Sequence, residues 1–116
     1  MKLKVIFFSI VIGATAFADM QMQIDPNEAK FMQDMNVQMK QMDTDMAAPM
    51  SGNVDRDFVV MMIPHHKGAV DMAKGELSYG KDPEMRKLAQ QIIDAQDTQI
   101  ALMKKWLEKH PAMNGM

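Results

Sequence analysis

Three stretches of helical period, each opened by its own start signal, leave this chain few ways to fold. Asp25-Pro26-Asn27-Glu28 sets a capping carboxylate before a proline at the first helical position, with Glu28 where a capping box wants an acid. Asp82-Pro83-Glu84 repeats the device. Between them Asn53 or Asp55 can cap a second helix, with Asp55 and Asp57 suited to its first turn. Pro49 and Gly52 end the first stretch after about Met46, and Gly80 is placed as a C-terminal cap for the second. The expected helices cover residues 26–46, a second span ending near Tyr79, and 83–109. No strand-like alternation and no solenoid-type repeat appears. The fold class is therefore all-α, a small antiparallel helical bundle. Pro64 lies inside the second helix, where it removes the hydrogen bond to the Val60 carbonyl and is expected to break the helix. That break, or dimerisation, would turn three helices into a four-helix bundle.

At 116 residues the chain supports one domain. Residues 1–18 read as an export signal, with Lys2 and Lys4 before the apolar run Val5–Ile12 and Ala16-Phe17-Ala18 as the cleavage motif. The run is short of the roughly 20 residues a membrane span needs. The expectation is a periplasmic protein, not membrane-inserted after cleavage, with residues 19–116 as a Met-rich helical domain. Loss of Lys2 and Lys4 with the leader takes the net charge from −2 to −4. With no basic run, nucleic acid is not an expected partner.

The chain has no cysteine and 16 methionines. Without disulfides, an exported domain of this size depends on its core or on a ligand. Thioether sulfur is a soft metal donor that cannot form disulfides, which makes Met the available soft ligand in an oxidising compartment. In the first helix Met32, Met35, Met39, Met42 and Met46 recur at spacings of three and four. A core stripe is the ordinary explanation of such spacing. Stripes usually use Leu and Ile, however, because Met specifies a core poorly. Five methionines without a leucine point to use of the sulfurs.

The second helix carries the other chemistry. His65 shares a row with Phe58, Met62, Ala69 and Met72, with Met61 one turn before it, while His66 falls on the neighbouring row with Val59, Ile63, Val70 and Leu77. Gly68 and Ala69 would let another helix come close, the methionine seam being the obvious candidate. Each histidine could instead be a core residue bonded to a carbonyl, and Pro64 frees one at Val60. A His/Met set favours copper, Cu(I) above all, with Cu(II), Zn(II) or Ni(II) able to use the imidazoles with Asp57 or Asp71. Spacing alone leaves open which histidine points inward. Imidazole must be neutral to ligate whereas thioether does not titrate, so a His-containing site should weaken in acid.

Asp57, Phe58, Met62-Ile63-Pro64-His65-His66, Gly68-Ala69, Asp71 and Met72-Ala73 resemble the signature of the bacterial family known as domain of unknown function 305. Ile92, Gln96, Gln99-Ile100, Met103 and Trp106-Leu107 resemble its second block, which usually has an acid where this chain has Gln99. The likeness covers about residues 54–108. It implies a ferritin-like helical bundle, a periplasmic setting and copper binding, with His65, His66, Met61, Met62 and Met72 as ligands.

The glutamates Glu28, Glu76, Glu84 and Glu108 form no Glu-x-x-His pair, and no hydrolase or phosphate-loop motif appears, so an enzyme is not expected. The expected function is copper binding through Met and His, to buffer, sequester or hand on the ion, with a copper-exporting or copper-accepting protein as partner. The rival is a metal-free Met-rich module that binds apolar peptides or partner proteins. A third reading, oxidant scavenging by exposed methionines, makes no use of the histidines.

Overall fold

The computed structural model describes residues 25–113, and every regular element among them is an α-helix: α1 (Pro26–Met46), α2 (Val54–Tyr79) and α3 (Pro83–Lys109). The predicted leader, residues 1–18, lies outside the described residues. The start signals act as the sequence suggests. Asp25 accepts from the Asn27 N–H at 2.9 Å, and Asp82 accepts from Glu84 and Met85 at 2.9 and 3.0 Å. Asn53, of the two candidates, caps α2 by accepting from the Arg56 N–H at 3.0 Å. Gly52 holds the chain at a φ of 84°, the left-handed region where glycine avoids a Cβ penalty. Gly80 does not form a left-handed cap; its φ is −75°, and the Glu76 carboxylate lies against the place a Cβ would occupy.

The expected break at Pro64 does not occur. Helix α2 runs unbroken from Val54 to Tyr79 with Pro64 buried in its interior. A proline forfeits its own N–H bond, at a cost of about 3 kcal/mol, but leaves the bonds of its neighbours in place. Packing on both flanks of α2 outweighs that local loss, so three helices remain three.

Helix α2 is the centre of the fold. Helices α1 and α3 each pack antiparallel against it, while no Cα of α1 comes within 8 Å of one in α3. At about 100° per residue, the α2 positions facing α1 (Gly68, Gly75) and those facing α3 (Val70, Leu77) lie roughly half a turn apart. Three helices thus lie side by side. The α2/α3 seam is the main core, built from Val70, Ala73, Ala89, Ile93 and Ile100. Arg86 ties the end of α2 to α3 by donating to the carbonyls of Leu77 and Gly80 at 2.6 and 3.0 Å, groups a helix end would otherwise leave unpaired.

The α1/α2 seam depends on glycine for space. A Cβ on Gly75 would stand 2.9 Å from the Phe31 ring and 3.1 Å from Met35 Cε. The stripe that α1 buries is accordingly Phe31, Met35 and Met42, with half-buried Gln38. Met32 and Met39 are half exposed at its flank. The five-methionine seam is therefore not one packed stripe; Phe31 takes a place in it that the spacing of methionines alone hides.

Two outcomes follow. Gly75→Val should cost about 1–3 kcal/mol through overpacking against Phe31, although Gly in a helix is normally a liability. Thermal unfolding followed by circular dichroism measures it, and an unchanged or higher midpoint would mean that the α1/α2 contact is not close-packed. Tyr79, the only tyrosine, donates to Asp34 Oδ2 at 2.6 Å across this seam. That hydrogen bond, then desolvation and the Asp34 charge, raise the phenol above its ordinary value of 10.0. The contact therefore stabilises the fold below that ordinary value and is lost as pH rises through the raised one. An ultraviolet phenolate titration should show the shift, and Asp34→Ala should remove most of it.

Candidate metal site between the first two helices

The two histidines part company. Their ring centroids are 6.2 Å apart, at 61° to each other, because adjacent helical residues point about 100° apart. His66 is buried, and its Nε2 meets Gln99 Oε1 of α3 at 2.5 Å. With the amide oxygen accepting, Nε2 carries the proton, and Nδ1 is buried without a partner. His65 is exposed and turns toward α1.

A cavity of about 230 Å³ lies between α1 and α2 at this point, lined by His65 and Met72 of α2 and by Met35, Met39 and Met42 of α1. Gly68, Ala69 and Gln38 complete its wall. Gly68 earns its place sterically: a Cβ there would stand 2.7 Å from Met42 Sδ. The cavity gathers one imidazole and four thioethers in a shallow bay, with Met35 buried and Met39 and Met72 about half exposed. The donor set fits a soft ion of the Cu(I) type, since nitrogen and sulfur are present and no carboxylate lines the bay.

Of the ten sequence candidates, five converge and five do not. His66 is turned into the α2/α3 seam. Met61 is exposed and Met62 half-buried one turn away, outside the cavity lining, as are Met32 and Met46 on α1. The carboxylates offered for harder ions are also elsewhere. Asp57 accepts from the Ser51 N–H at 3.0 Å, and Asp71 lines a separate groove with Lys67, Lys74 and Asp97. Among the described residues no three His, Asp or Glu side chains form a group that could hold a metal ion. Gln99 is the partner that sequence reasoning did not assign. Its signal was its place in the α3 seam one turn from Gln96, whose own Oε1 is buried without a partner.

The family model described as "Domain of unknown function (DUF305)" matches residues 13–107. The chain belongs to this family. The match reaches well upstream of residue 54 and takes in the whole of α1, so the DUF305 domain here includes both walls of the cavity. The chain is also similar to "Uncharacterized protein L153" of Acanthamoeba polyphaga mimivirus, 35% identical over 60 residues. That stretch spans 52% of this chain and 40% of the viral protein.

The divergence of the histidines predicts unequal roles in stability. His66→Ala should cost about 1–3 kcal/mol, because it opens a gap in the α2/α3 seam and strips Gln99 of its partner. His65→Ala should stay within about 0.5 kcal/mol in the absence of metal, as expected of an exposed side chain. Urea unfolding of the two variants makes the comparison, and equal costs would contradict the assignment.

Proposed function

We propose that this DUF305 protein binds copper, preferentially Cu(I), in the bay between α1 and α2. The observation that carries the reading is the convergence of His65 with Met35, Met39, Met42 and Met72 from two helices. Thioether and imidazole together suit Cu(I), which accepts low coordination numbers and soft donors, and Cu(II) is the second choice. Within this reading His65 supplies the strongest donor, Met35 and Met42 form a sheltered floor, and Met39 and Met72 make an open rim. No helix among the described residues is long and apolar enough to cross a membrane.

The role that follows is to buffer, sequester or hand on copper in the periplasm after export on the signal of residues 1–18. The half-exposed rim supports handing on, because an acceptor's soft ligands can reach the ion before the floor releases it. A copper-exporting or copper-accepting protein is the matching partner, and no catalytic role is proposed. The ferritin-like four-helix arrangement is part of this proposal, with a fourth helix supplied from outside the three described.

An anaerobic Cu(I) competition titration against a coloured chelator tests it. His65→Ala should weaken binding by about tenfold or more, equivalent to about 1.4 kcal/mol, while His66→Ala leaves the affinity nearly unchanged. The stronger effect falling on His66 would move the site to the α2/α3 seam. No binding by the wild type would end the copper reading and favour the peptide-binding one.

A further inference from the structure

We propose that the α1/α2 seam is an oxidant-sensitive latch: conversion of Met39, Met42 and Met72 to sulfoxides releases α1 from α2. The release itself does not depend on metal. Its consequence, that the bay then lets go of a soft ion, rests on the copper reading above.

The latch follows from how thinly α1 is held. It packs on α2 alone, and of its 21 residues only Met35 is buried. Two polar contacts add to its hold, Tyr79 to Asp34 at 2.6 Å and the exposed ion pair of Lys81 with Asp25 at 3.6 Å. Both lie on the N-terminal side of the bay. Beyond Gln38, the residues of α1 that are not exposed are Met42 and Met46. The C-terminal part of α1 is thus held by thioethers. The α2/α3 seam differs, because its buried cluster of Val70, Ala73, Ala89, Ile93 and Ile100 contains no sulfur. An oxidant that acts on thioethers therefore strikes one seam and spares the centre of the other. The chain has no thiol to intercept it.

Met42 is the residue on which the latch turns. Its Sδ lies against Gly68, 2.7 Å from where a Cβ would stand, so the thioether fills the space of the side chain that α2 lacks. Met42 also lines the open bay, with Met39 and Met72 about half exposed beside it, and a small oxidant reaches all three from there. With hydrogen peroxide the step balances. The sulfur gives up two electrons, the O–O bond breaks, one oxygen forms the S–O bond and the other leaves as water. The sulfoxide is polar where the thioether was apolar, and its formation is reversed by methionine sulfoxide reductases. Three such oxygens meet only two polar side chains in the bay, Gln38 and His65. The remainder must be hydrated, which draws water between the helices, because an unpaired polar group is costly to bury. The same step replaces soft sulfur donors with hard oxygen, which suits Cu(I) poorly.

The test treats metal-free protein with hydrogen peroxide until peptide mass spectra show Met39, Met42 and Met72 as sulfoxides, then follows amide hydrogen exchange. Protection across α1 should fall by about tenfold or more, while the amides of Ala89, Ile93 and Ile100 in α3 keep theirs. The triple variant Met39→Leu, Met42→Leu, Met72→Leu, which nearly preserves volume, should keep α1 protected under the same treatment. Met50 and Met113, at 93% and 98% exposed, are oxidised in both proteins and serve as the internal control. Methionine sulfoxide reductases should restore α1 in the wild type. Unchanged protection of α1 in the oxidised wild type overturns the proposal. So does an equal loss in the triple variant, or a loss that extends through α3. A Cu(I) competition titration of the same samples reads the consequence for the ion, and the oxidised wild type should bind about tenfold or more weakly. Undiminished affinity would overturn the link between latch and ion. A wild type that binds no copper before treatment ends the copper reading instead, and the exchange result alone then decides the latch.

Discussion

Every helix–helix contact among the described residues is made by α2. It must pack on two flanks at once, against α1 through Gly68 and Gly75 and against α3 through Val70, Ala73 and Leu77. This double duty explains how a helix of 26 residues can carry an interior proline without breaking. One missing backbone bond is a small loss beside two flanks of side-chain packing. It also explains why the neighbouring histidines differ so much. A helix held on both sides sends residues one position apart toward different partners.

The two flanks are built by different means. Toward α3 the contact is conventional, aliphatic and closed by an internal polar pair, His66 with Gln99. Toward α1 it is made by glycine on one side and by Phe31, Met35 and Met42 on the other. Removing side chains from α2 brings the α1 sulfurs close to its backbone and leaves a bay beside His65. The flexibility that makes methionine a poor core residue would let this wall adjust to an ion under the copper reading proposed above. The α1 flank is the one that carries the proposed chemistry.

How much of this could be read beforehand varies with the range of the interaction. The three helices, their caps at Asp25, Asn53 and Asp82 and the stops near Met46 and Tyr79 are local events, decided by residues within one turn of each other. They were legible. The break at Pro64 was misjudged because the loss is local while the compensation comes from α1 and α3. The methionine seam is legible as a period, but Phe31 falls outside that run of one residue type, and only the approach of Gly75 shows that it packs there. The candidate site was half legible: spacing supplied His65 and the α1 methionines, and could not say that Met61, Met62 and His66 point elsewhere.

By itself the sequence determined that this is an all-helical, disulfide-free chain with soft donors concentrated on two of its helices, because composition and helical period are properties of the chain alone. Only the tertiary structure decided that His65 and not His66 faces those sulfurs, that Gln99 occupies the other imidazole, and that one face of the layer stays apolar and open. The reason is geometric. A period of 3.6 residues orders side chains around one axis, but which part of the circle meets a neighbour depends on where the other helices lie.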